Sequence, residues 1–141
     1  MYLLLALAFA SGSLMACPNL AGIYNSCKSV PADGRVPYKL TVTQKSEKGL
    51  VTYQLQGGHQ EILFADGKER SHKGQQPNAK TPFEFKSTTT CVGEKVITRK
   101  ASSSDGKNWN LSENLLVKEK SKLIHQVTNH TKKKTFSIVC E

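Results

Sequence analysis

The sequence predicts an all-β protein built as an antiparallel up-and-down barrel of about eight strands. A two-sheet β-sandwich is the alternative. Three observations point there. Runs rich in Thr, Val, Ile, Tyr and Phe recur along the chain after its first residues. Turn signals separate them at short intervals: Asp33-Gly34, Lys48-Gly49, Gly57-Gly58, Asp66-Gly67, Gly93-Glu94 and Asp105-Gly106, then polar stretches at Glu119–Lys122 and Thr131–Lys134. No long stretch combines a helical period with capping residues. Strands with one apolar face must bury those faces together, and closing the sheet on itself removes its exposed edges.

The first element is not part of the domain. Residues 1–16 carry no charged side chain, and Leu3–Ala10 is an apolar run followed by Ser11-Gly12-Ser13. The run is too short to span a bilayer, which takes roughly 20 apolar residues. It suits the apolar region of a secretory signal with small residues at the cleavage site. The reading is therefore a signal peptide at 1–16 and a single domain at 17–141. Leu14-Met15-Ala16-Cys17 also has the outline of a lipoprotein signal, in which Cys17 becomes a lipidated N-terminus. The alternatives are a free secreted or periplasmic protein and one tethered to a membrane through Cys17.

Cysteine parity favours the free form. The four cysteines, Cys17, Cys27, Cys91 and Cys140, all follow the cut and can pair completely in an oxidising compartment. Of the three connectivities open to four cysteines, the expected one is Cys17–Cys27 with Cys91–Cys140. No Cys-x-x-Cys pair suggests a zinc site.

The strands follow in order. Alternation puts Tyr38, Leu40 and Val42 on one face at 38–45, and Val51, Tyr53 and Leu55 on one face at 51–56. The polar stretch Glu69–Thr81 reads as a long loop, or as a short edge strand and a loop. At 83–91, Phe83, Phe85, Ser87, Thr89 and Cys91 share a face. At 109–117 the shared set is Trp109, Leu111, Glu113, Leu115 and Val117. At 123–129 it is Leu123, His125, Val127 and Asn129, and at 135–140 Phe136, Ile138 and Cys140.

Asn19-Leu20-Ala21-Gly22-Ile23-Tyr24, at the start of the first strand, resembles the opening of lipocalin-like (calycin) barrels, where Gly-x-Trp begins the first strand. Tyr24 stands here in place of the Trp, and the single Trp lies at 109. The hairpins from Phe83 to Cys140 resemble the closing meander of fatty-acid-binding-type barrels. The resemblance implies a lumen that holds a small hydrophobic ligand.

Chemistry-bearing residues are sparse. There is no Gly-x-Ser-x-Gly elbow and no phosphate loop. His59, His72, His125 and His130 show no chelating pattern, so neither an enzyme, a metal nor a cofactor is expected. Glu113 and His125 fall on predicted inward faces of neighbouring strands. Burying a lone charge costs several kcal/mol, so the two are expected to pair or to face a wet lumen. The expected ligand-binding set is Tyr38, Tyr53, Phe85, Trp109, Glu113 and His125: aromatics with a few polar groups.

A net charge of +9 favours acidic partners. Lys132, Lys133 and Lys134 in one turn, with Lys118, Lys120 and Lys122 in the preceding one, suggest a patch for anionic lipid or another envelope component. Aromatics do not interleave with the basic residues, which argues against sequence-specific nucleic-acid binding. Two functions follow as expectations. One is a non-enzymatic binder of a small hydrophobic or amphipathic ligand. The other is a basic interaction or inhibitor protein with a filled barrel.

Overall fold

A computed structural model describes residues 16–74 and 80–141. The expected signal peptide, save Ala16, and the middle of the polar stretch at 69–81 lie outside the described residues. Ten strands make one antiparallel sheet, and no helix occurs among the described residues. They are β1 (Gly22–Val30), β2 (Tyr38–Glu47), β3 (Leu50–Gln56), β4 (Gln60–Phe64), β5 (Arg70–Gly74), β6 (Phe83–Val92), β7 (Lys95–Ser103), β8 (Asn110–Glu119), β9 (Lys122–Asn129) and β10 (Lys134–Cys140). The count exceeds the expected eight; β4 and β5 are strands of five residues each, and β5 is the short edge strand of one of the two readings of Glu69–Thr81.

The order is β4-β3-β2-β1-β10-β9-β8-β7-β6-β5. Two meanders, β1–β4 and β5–β10, are therefore joined through β1 against β10. The sheet curls into a half-barrel with one concave face. The free strands β4 and β5 follow one another in the chain but do not pair. They are tied at their connecting turn, where the Gly67 N–H donates to the Thr89 carbonyl on β6 at 2.9 Å. Arg70 caps the same corner, with its guanidinium 4.3 Å from the centre of the Phe64 ring and 2.8 Å from Asp66.

Register decides which side chains enter the concave face. Val42 faces Leu55, Tyr53 faces Leu63, Val96 faces Leu116 and Cys140 faces Leu123. Tyr24, Tyr53, Val96, Leu116, Leu123 and Ile138 are buried there. Thr89 and Thr98, opposite one another on β6 and β7, enter the core by sharing a hydroxyl hydrogen bond of 2.9 Å.

The segment before β1 fills one end of the hollow. Leu20 is fully buried, and its N–H donates to Gln44 Oε1 at 3.0 Å. The Tyr24 hydroxyl donates to the Leu20 carbonyl at 2.9 Å. Tyr53, also fully buried, donates to the Pro18 carbonyl at 2.6 Å.

The disulfides differ from the expected pairs. They join Cys17 to Cys91 and Cys27 to Cys140. The reason is topological: Cys27 is the register partner of Cys140 across the β1–β10 seam. The N-terminal segment crosses beneath β6, which leaves Cys17 for Cys91. Each bridge closes a long loop, 74 and 113 residues apart in sequence. Loop entropy alone assigns such bridges about 4 to 5 kcal/mol each, a model-dependent figure.

The face expected for β8 is also corrected. Leu116, paired with Val96, is the buried residue, so Ser112, Asn114 and Leu116 point inward. Leu111, Glu113, Leu115 and Val117 point outward. Leu115-Leu116-Val117 is apolar throughout, so the pattern does not choose between faces, and a one-residue shift inverts the whole strand.

Tyr53→Phe removes the hydroxyl that holds Pro18 and leaves a carbonyl without that donor. The expected cost is about 1–2 kcal/mol of unfolding free energy, read from denaturant melts of the oxidised protein.

Candidate functional site

Above the filled end, the concave face holds a hollow of about 400 Å³. Its lining is mixed. Tyr38 and Leu40 from β2, Leu55 from β3, Val127 from β9 and Ile138 from β10 supply apolar and aromatic surface, and Glu61 from β4, Lys100 from β7, Asn114 from β8 and His125 from β9 stand among them. Leu55 pairs with Glu61, Ile138 with His125 and Val127 with Asn114 across neighbouring strands. The mouth is framed by Arg35 and Val36 in the β1–β2 loop and by Gly57, Gly58 and His59 in the β3–β4 turn.

Each polar residue arrives by strand parity. Glu61 pairs with Leu55 and shares the inward face of β4 with Leu63. Lys100 lies two and four residues beyond inward Thr98 and Val96. Glu61 and Lys100 are 39 residues apart in sequence, yet the curl brings them together as an ion pair, with only 26 % and 19 % of their side chains exposed. Neither is left as a lone buried charge, which would cost several kcal/mol.

His125 lies beside this pair. Burial pushes its imidazole down from an ordinary value of 6.5 to about 4. Glu61 opposes the shift, while Lys100 and His59 add to it. The ring is therefore neutral near pH 7, with one nitrogen able to donate and the other to accept.

Part of the apolar lining is fitted around a glycine. A Cβ on Gly57 would sit 3.2 Å from ring carbons of Tyr38 and 3.3 Å from Leu40. The bare backbone of Gly57 thus lets the Tyr38 ring lie against the turn. Burial raises the Tyr38 phenol above its ordinary pKa, with Arg35 acting against it. Val36 is 83 % exposed beside it, an apolar side chain at the mouth with no protein cover. Arg35 is matched by Asp33 at 2.6 Å.

The expected site residues separate. Tyr38 and His125 line the hollow. Tyr53 lies in the packed end, committed to Pro18, and burial lifts its phenol to about 12. Phe85 faces His72 across the β5–β6 pair and does not reach the hollow.

Trp109 lies just before β8, with Lys86 5.0 Å from its ring centre. Glu113 binds Arg99 at 3.2 Å on the outer face, so it does not meet His125. It borders a second hollow of about 420 Å³ with Lys86, Arg99 and Leu111.

The basic residues do not form one patch. Lys120 lies in the β8–β9 turn, flanked by Lys118 and Lys122, and Lys132 and Lys133 lie in the β9–β10 turn. These turns fall at opposite ends of β9, whose eight residues span roughly 26 Å. Successive hairpin turns in a meander must alternate ends.

Glu61, Lys100 and Asn114 were not anticipated. The available signal was their parity with Leu63, Val96 and Leu116, but the meeting of Glu61 with Lys100 depends on the curl. No protein-family model matches the chain, and no characterised protein matches its sequence.

The displaced pKa of His125 ties folding to pH. A folded value below the unfolded one leaves this contribution intact above about pH 6.5 and withdraws it as the pH falls toward 4. The expected loss between pH 8 and pH 5 is about 2 kcal/mol. Denaturant melts of wild type and His125→Asn across that window check it; the variant should lack this component.

Proposed function

We propose that the protein is an exported, non-enzymatic binding protein of lipocalin-like design that holds a small hydrophobic or amphipathic ligand in the hollow of its curled sheet. The observation that carries this reading is the hollow of about 400 Å³ with its mixed apolar and polar lining. That volume lies within the range of sites that enclose small molecules. Apolar side chains with a few converging polar groups are the usual means of holding and orienting such a ligand. Exposed Val36 and half-buried Tyr38 at the mouth give an entering apolar group its first contacts.

Two disulfides fit an oxidising compartment. No helix among the described residues is long and apolar enough to cross a membrane. The disulfides support secretion or a periplasmic location.

Nile red, an uncharged probe whose emission rises and shifts to the blue in apolar surroundings, tests the binding reading. One equivalent is expected to bind. Val127→Trp, which places an indole in the hollow, should weaken binding roughly tenfold or more. A wild-type protein that leaves the dye dark refutes the reading.

A second reading has its own observation. Lys132, Lys133 and Lys134 are all exposed at one hairpin, a form suited to an anionic lipid or other acidic envelope component. It predicts salt-sensitive sedimentation with phosphatidylglycerol vesicles, lost when the three lysines become Ala. Unchanged sedimentation of the triple variant removes it.

A further inference from the structure

The chain as a whole is strongly basic, but its hollow is not. Lys100 is neutralised by Glu61 inside, and Arg35 at the mouth by Asp33. His125 adds a neutral imidazole and Asn114 a neutral amide. A charged head group entering this space meets both members of a satisfied ion pair. Attraction to one is offset by repulsion from the other, while the cost of leaving water remains. An uncharged head that both donates and accepts hydrogen bonds carries a much smaller desolvation cost. It also finds complementary partners in the imidazole and the amide, each able to donate and accept. Leu40, Leu55, Val127 and Ile138 line the same hollow and offer apolar contacts to an aliphatic tail.

We infer that the hollow selects an uncharged amphiphile, an aliphatic chain ending in an alcohol or a similar neutral polar group, over fatty acid anions and alkylammonium cations. The inference rests on the binding reading above and narrows it. It runs against the expectation from net charge, because +9 on the chain favours anions at a distance. The compensated ion pair removes that preference where the ligand is held.

Three probes of equal chain length and different head test it: 1-decanol, decanoate and decylammonium. They are titrated calorimetrically into the full-length oxidised protein below micellar concentrations, at about pH 8, where ordinary imidazoles are neutral. Decanol should bind roughly tenfold or more tighter than either ion.

Substitution within the ion pair reads out the cause. Glu61→Gln leaves Lys100 uncompensated and should move the ranking toward decanoate. Lys100→Met leaves Glu61 and should move it toward decylammonium. The double variant carries neither charge and should return the wild-type ranking, which separates a change in selectivity from a loss of fold. A wild type that ranks either ion equal to decanol or above it overturns the inference and leaves the binding reading standing. So does a ranking that neither single variant moves. Uptake of none of the three probes, with Nile red also excluded, refutes the binding reading itself.

Discussion

Among the described residues, every strand pairing except β1 with β10 joins neighbours in the chain. That single long-range pairing makes one wall out of two meanders, and the rest of the structure depends on it. It is reinforced where it is formed: Cys27 and Cys140 are both register partners and a disulfide. Reciprocal backbone hydrogen bonds between Ser26 and Glu141, at 3.2 and 3.0 Å, extend the seam by one more residue. Bringing such distant segments together costs loop-closure entropy, and the disulfide lowers that cost by restricting the unfolded chain. The hollow is a product of the seam. Leu40 and Leu55 come from the first meander, Val127 and Ile138 from the second, and neither half contains the site alone.

The interior is divided along its length. One end is closed by the segment before β1, which buries Leu20 and ties Cys17 and Pro18 to β6 and β3. The other end keeps its polar residues and its space. Packing at the first end gives the sheet a fixed core, so the second end can remain hollow without supplying the stability of the fold. The Glu61–Lys100 pair belongs to this arrangement. It spans the interior from β4 to β7, where direct strand pairing is absent.

The all-β antiparallel class was legible because turn pairs such as Lys48-Gly49 and Gly93-Glu94 punctuate clear alternation. Gly49 and Gly93 adopt the positive φ that such turns require. Inward faces were legible where apolar and polar residues alternate strictly, as in Tyr38-Lys39-Leu40-Thr41-Val42. They were not legible in Leu115-Leu116-Val117, where three apolar residues fit either face. The site was legible only in Tyr38 and His125, and its other members show why. Glu61 and Lys100 look like ordinary solvated charges in their own strands, and their burial as a pair is set by curvature. The disulfides were misread for the same reason: nearness in sequence favoured Cys17 with Cys27, while strand order put Cys140 beside Cys27.

The opening between β4 and β5 has a mechanical consequence. A continuous ladder fixes the girth of a sheet, because widening it means breaking a row of backbone hydrogen bonds together. Here the turn between the two free strands is tied to β6 by the Gly67–Thr89 hydrogen bond, Arg70 of β5 lies against Phe64 of β4, and the Glu61–Lys100 pair crosses the hollow beside them. Such a wall is held differently at its two margins: opening the gap breaks a few separable contacts, whereas opening the seam breaks a ladder of backbone hydrogen bonds and a disulfide.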